Sequence, residues 1–190
     1  MNADRAYLEW LAKEWGVEFA FGGVIYADGF FGWSGSSSPE NHHYGDGGLA
    51  KHTVEVVRLC ESTVKTLNHN DVDMPALLTA ALWHDYGKMW DYEKVEGVWR
   101  GSPHKRLIHH IPRSAIEWEK YANSEPGDLK DSFIDKVTHC ILSHHGRRDW
   151  GSPIAPCSKE AWILHLCDNL SARMDDWKFD RLKQNQRQGT

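Results

Sequence analysis

The sequence predicts an all-α protein, a helical bundle with one possible small β-hairpin. Three observations carry that expectation. Apolar residues recur at helical spacing in several segments, capping residues, prolines and glycines punctuate those segments, and period-two alternation is confined to one short stretch. The 190 residues suit a single domain: an N-terminal helix and Gly/Ser-rich loop over 1–45, a bundle over 46–178, and a flexible polar tail over 179–190.

The first helix is expected over 4–15, with Asp4 as cap, Leu8, Leu11 and Trp15 on one face, and Gly16 as stop. From Gly22 to Gly48 the chain is dense in glycine and serine and reads as a loop with room for a short strand. Between Gly48 and Leu67, His52 shares a stripe with Val56, Leu59 or Cys60, Thr63 and Leu67. Asp73 caps the next helix, Pro75 sits in its first turn, and the apolar run ends at His84 and Asp85 before Gly87. Residues 89–105 alternate aromatically around "VEG", which suits the hairpin. A helix over 111–121 follows, entered at His110. Another carries Phe133, Val137, Cys140 or Ile141 and His144 on one face and stops at Gly146. Ser158 caps the last long helix, where Ala161, His165, Asp168 and Ala172 share a side.

The net charge of −5 argues against a broad cationic track for long nucleic acids, so a nucleic-acid substrate is expected to be short or held locally. No apolar run is long enough to span a membrane, and the opening "MNADRAYLEWLAKEW" lacks a signal-peptide core. Cys60, Cys140, Cys157 and Cys167 show no paired spacing and read as structural thiols. A soluble cytoplasmic protein is expected. The oligomeric state is not legible.

His52, His84, Asp85, His110, His144, His145 and Asp168 are polar groups on inward faces or at helix ends. A lone inward histidine is usually a satisfied core residue. Seven such groups from five separate helices or helix ends would cost too much to bury at one end of a bundle unless a metal centre receives them.

The stretches "GGLAKHT", "HDYGK", "LIHHI", "ILSHHGRRDWGSP" and "LHLCDNL" present these groups in the order His, His-Asp, His, His-His, Asp. The set resembles HD-domain metal-dependent phosphohydrolases, most closely the catalytic domain of YhaM-type 3′→5′ exoribonucleases, over roughly 42–172. The resemblance implies an HD-domain helical bundle with two divalent metals. His52, His84, Asp85 and Asp168 would hold the first, and Asp85 would bridge to a second held by His110, His144 and His145. Lys88 falls where that family has a phosphate-contacting lysine, and His43 falls in a matching segment. His109 stands where the family tends to have glycine. YhaM-type enzymes carry an OB-fold domain ahead of the catalytic one, whereas the residues before the matching region here do not read as a barrel, so processive action on long RNA is not expected.

Five imidazoles with two carboxylates suit Mn, Fe, Co, Ni or Zn better than Mg, and the resemblance points to Mn or Fe. Such a centre would activate water for attack on phosphorus, with Asp85 and Lys88 as the catalytic pair. His43, His109, Arg147 and Arg148 are candidate substrate contacts beside Lys88, and Trp33 and Trp150 could stack on a base or simply pack. Ser143 reads as helix packing, and His69, His104, His139 and His165 receive no role.

The expected activity is hydrolysis of a phosphoester in a nucleotide or short single-stranded oligonucleotide. Alternatives are a nucleotide phosphomonoesterase or triphosphohydrolase, a mixed-valent di-iron oxygenase of the same fold, and a nucleotide sensor without catalysis.

Overall fold

The computed structural model describes residues 3–124 and 129–188, with residues 177–188 described by backbone alone. The element order is α1 (Ala3–Trp15), α2 (Glu18–Ile25), α3 (Gly48–Leu67), α4 (Met74–Trp83), α5 (Lys88–Asp91), β1 (Tyr92–Val95), β2 (Val98–Gly101), α6 (His104–Leu107), α7 (His110–Ala122), α8 (Asp131–Ser143) and α9 (Lys159–Gln188). Short 3₁₀ turns lie at Phe30–Gly32 and Arg148–Trp150.

The centre of the bundle is α4. Its sequence MPALLTAALW is apolar all round, and nearly every residue is buried, as a helix of that composition requires. Helices α2, α3, α7, α8 and α9 pack around it. The Asp73 carboxylate accepts from the Ala76 N–H at 3.1 Å, and Pro75 occupies the first turn, so the expected start is the observed one. The far end of α4 delivers His84 and Asp85 into the interior.

The hairpin forms where alternation predicts it, pairing Tyr92 with Gly101 and Val95 with Val98. Its two-residue turn, Glu96 and Gly97, has φ of 51° and 82°, the mirror-image conformation that matches strand twist. Ser158 caps α9 as expected, its hydroxyl accepting from the Ala161 N–H at 3.2 Å.

Three expectations change. Residues 18–25 form α2, although Gly22 and Gly23 read as breakers. A Cβ on Gly23 would stand 2.6 Å from the Trp83 ring and 2.9 Å from Tyr121, so the glycine is where α2 meets its neighbours. Burial of Phe21, Val24 and Ile25 outweighs the propensity cost of about 1 kcal/mol per glycine. The loop that follows contains no strand among the described residues. Serine hydroxyls order it instead: the Ser34 hydroxyl accepts from the Gly45 N–H at 2.9 Å and donates to the Ser36 carbonyl at 2.7 Å. Lastly, the backbone of α9 stays helical to Gln188, where the polar composition predicts a loose tail.

Candidate metal centre

Five elements converge below the end of α4. From α3 comes His52, His84 and Asp85 come from the turn after α4, His110 opens α7, His144 and His145 follow α8, and Asp168 lies on α9. The His84-to-Lys88 turn fits because residue 87 is glycine: a Cβ there would collide with the His110 carbonyl oxygen, so only glycine lets this turn touch the start of α7.

Asp85 is the hub. Its Oδ2 lies 3.3 Å from His52 Nε2, 3.4 Å from His84 Nε2 and 2.7 Å from Lys88 Nζ, while its Oδ1 lies 3.4 Å from His110 Nε2 and 3.8 Å from His144 Nε2. Asp168 Oδ1 stands 3.0 Å from His52 Nε2 and 3.7 Å from His84 Nε2. Among the described residues four groups of donor atoms are compact enough to hold a metal, and two of them, His52 with His84 and Asp85, and His110 with His144 and His145, meet around Asp85; the others are His42 with His43 and His52, and Asp91 with His109 and His110.

Each imidazole is fixed from behind. His84, His144 and His145 donate Nδ1–H to the carbonyls of Ala81 at 2.8 Å, Ile141 at 2.7 Å and Trp150 at 2.6 Å. Carbonyl oxygen only accepts, so Nδ1 carries the proton in all three rings. His110 Nδ1 faces Asp91 Oδ2 at 3.3 Å. His52 Nδ1 faces the Ser171 hydroxyl at 3.1 Å, and that hydroxyl donates to Glu55 Oε2 at 2.9 Å. The rings of His84, His110, His144 and His145 therefore turn Nε2 inward with its lone pair available, the tautomer that metal coordination needs, while His52 Nε2 faces the Asp168 and Asp85 carboxylates and would yield its proton to a bound ion.

Asp85 Oδ1, His110 Nε2 and His144 Nε2 are buried with no hydrogen-bond partner. Orphaned polar atoms cost free energy unless a ligand receives them, and a divalent cation fits these acceptor-only groups. Burial pushes the His110 pKa down to about 4, and burial with the neighbouring His145 and His84 pushes His144 well below its usual value. Burial opposes a charge on His52 too, but its hydrogen bonds to Asp168 and Asp85 prevail and lift it to about 9. Burial would raise Asp85; the adjacent Lys88 ammonium and His84 overcome that and hold the carboxyl well below its ordinary range.

Beside the centre lies a cleft of about 320 Å³ lined by His42, Lys88, His145, Trp150, His165, Asp168 and Arg173, among others. A larger cavity of about 490 Å³ lies near Trp15, Val64 and Met74, but it holds none of the convergent donors. We therefore take the smaller cleft as the site.

Several expected substrate contacts fall elsewhere. The His43 side chain is fully buried, its Nε2 2.9 Å from Glu55 Oε2 and its backbone N–H donating to Asp175 at 2.7 Å, so the adjacent His42 lines the cleft instead. Arg147 lays its guanidinium 5.4 Å from the Trp150 ring centroid, Arg148 is exposed in the 3₁₀ turn, and the arginine at the cleft is Arg173. His109 is half-buried against the His110 ring with φ of 74° and ψ of 151°, backbone space that glycine favours. Lys88 lines the cleft as expected. Trp33 packs on Trp99, 5.0 Å between centroids.

Other partners carried no sequence signal. Asp91 is fully buried, accepting from the His110 backbone N–H at 2.9 Å and pairing with His104 Nδ1 at 2.7 Å. Thus His104, expected to be idle, braces the residue that orients His110. His165, likewise unassigned, donates to the His144 carbonyl at 2.8 Å. Only an acidic residue at the end of the short α5 could have hinted at Asp91.

The helical bundle thus gathers candidate metal ligands beside a buried lysine. The chain belongs to the HD domain family, which it matches over residues 49–173. It is similar to the 3′-5′ exoribonuclease YhaM of Bacillus pumilus (strain SAFR-032), 34% identical over 172 residues, covering 87% of this chain and 47% of that protein. YhaM of Bacillus subtilis (strain 168) is 34% identical over 156 residues, 77% of this chain and 46% of the relative, and that of Geobacillus sp. (strain WCH70) is 33% identical over 157 residues, 79% and 44%. The chain thus spans just under half the length of these relatives. No solved structure matches it. Family and relatives point to a metal-dependent hydrolase.

Proposed function

We propose that this protein is a bimetallic phosphohydrolase that cleaves a phosphoester of a nucleotide or short oligonucleotide, in the manner of a phosphodiesterase or 3′-5′ exonuclease. The observation that carries the reading is the convergence of orphaned, buried acceptor atoms around Asp85, beside a cleft lined by Lys88, His145 and Asp168. The exoribonuclease activity named for the relatives supports it.

His52, His84, Asp85 and Asp168 would hold one divalent ion, and Asp85 would bridge to a second held by His110, His144 and His145. Bound ions at such a centre supply a water of lowered pKa and neutralise charge on phosphate oxygens. The chain's own residues do the rest. Asp85 offers one oxygen to each group of donors. Burial opposes a charge on Lys88, but the Asp85 carboxylate outweighs that and raises its pKa, so the ammonium stands charged at the cleft to meet a non-bridging phosphate oxygen. Mn or Fe is the metal we favour, since imidazole-rich sites select against Mg. Four free cysteines fit a reducing cytoplasm.

A second reading, a phosphomonoesterase or triphosphohydrolase on free nucleotides, is favoured by the small volume of the cleft. Cleavage of bis(p-nitrophenyl) phosphate and of the monoester, with Mn and without oxygen, separates these readings. We expect diester cleavage by the wild type and a loss of at least about 100-fold in Asp85→Ala. Monoester cleavage alone would favour the nucleotidase, and oxygen consumption without ester cleavage in a separate aerobic assay with iron would favour the di-iron oxygenase.

A further inference from the structure

The cleft has a wall that the metal chemistry does not use. Trp150 lies 46% exposed in the 3₁₀ turn after His145 and borders the same cleft as Lys88 and Asp168. A large aromatic left half in solvent beside a charged site gains from any ligand that covers its exposed part.

The indole is also held in place. Arg147 sits 5.4 Å from its centroid, and the His165 ring lies 6.1 Å away. The Trp150 carbonyl accepts from His145 Nδ1 at 2.6 Å, so one residue both orients a candidate metal ligand and fixes the aromatic wall relative to it. Arg173, on α9, borders the cleft five residues past Asp168, about 7.5 Å further along the helix axis. A planar π surface, a cation for a phosphate one step from the reacting one, and a volume of about 320 Å³ together match one nucleotide.

We propose that Trp150 is the stacking platform for the nucleobase of the scissile nucleotide and that Arg173 binds the neighbouring phosphate. This deepens the phosphohydrolase reading and rests on it for the identity of the site. Stacking accepts every base and requires it to be unpaired, because a base inside a duplex has no free face. The substrate class is then single-stranded termini or free nucleotides of any base, and sugar phosphates without a base are poor ligands.

Calorimetric binding of AMP and of ribose 5-phosphate to the Mn-loaded protein tests the platform without requiring turnover. In the wild type AMP binds about 10-fold or more tightly than ribose 5-phosphate. Trp150→Leu abolishes that preference, Trp150→Phe largely retains it, and Arg173→Gln weakens a dinucleotide more than AMP, all at unchanged bound Mn. No preference in the wild type, or the same preference in Trp150→Leu at full Mn content, overturns the proposal. Oligonucleotide cleavage is scored separately. A protein that prefers AMP through Trp150 yet cleaves nothing keeps the platform and loses the phosphohydrolase reading, whereas one that cleaves without the preference loses only the platform.

Discussion

Asp91 shows how much of a metal centre lies behind its ligands. One of its oxygens takes both N–H groups of His110, and the other pairs with His104. Burial would raise its pKa, but the hydrogen bonds from His110 and His104 keep it below the ordinary value, so the carboxylate stays charged and holds the ring. Asp91→Asn is expected to lower metal affinity by about 10- to 100-fold, read by calorimetry with Mn and by metal content after dialysis. Unchanged affinity would show that Asp91 only supports the fold. His109, its neighbour, makes the opposite case. It occupies glycine-like backbone space, so His109→Gly should relieve strain and raise stability by about 1 kcal/mol, seen as a higher Tm. A lower Tm would show that the His109 ring contributes more than its backbone costs.

Among the elements, α4 and α2 carry the lesson. The start of α4 could be read from Asp73 and Pro75, because caps and prolines act through their immediate neighbours. That α2 exists could not, because its stability comes from side chains far along the chain. Gly23 faces Trp83 and Tyr121, residues it meets only after folding. Gly23→Ala should therefore destabilise by about 1–3 kcal/mol in chemical denaturation, although alanine is the better helix former. Stabilisation would mean that α2 packs more loosely than the structure has it.

For the whole molecule, neutral acids shielded by folding set an alkaline limit. Burial, with Glu160 adding to it, pushes the Cys140 thiol up to about 12, and burial with Glu61 pushes the Tyr7 phenol up to about 12. Both pKa values are raised on folding, so the stability they contribute is complete below the unfolded values, near 9 for the thiol and 10 for the phenol, and is lost as pH rises through about 12. Denaturant midpoints should hold steady to about pH 9 and fall between there and pH 12. Replacing Cys140 with Ala should flatten the early part of that fall. An unchanged profile would remove the thiol from the account.

The helices were legible in the sequence because spacing along a helix states its face, and the seven residues that the family resemblance singles out come from five elements that the structure brings together. The hairpin was legible for the same reason, its turn and its alternation lying within ten residues. Tertiary structure decided what spacing along the chain cannot reach. It turned His43 toward Asp175, 132 residues away, and left His42 at the cleft; it brought Arg173 to the mouth rather than Arg147; and it set Asp91 behind His110. Those choices depend on which elements pack together, and that is settled by the shape of the core around α4, not by any short stretch of sequence.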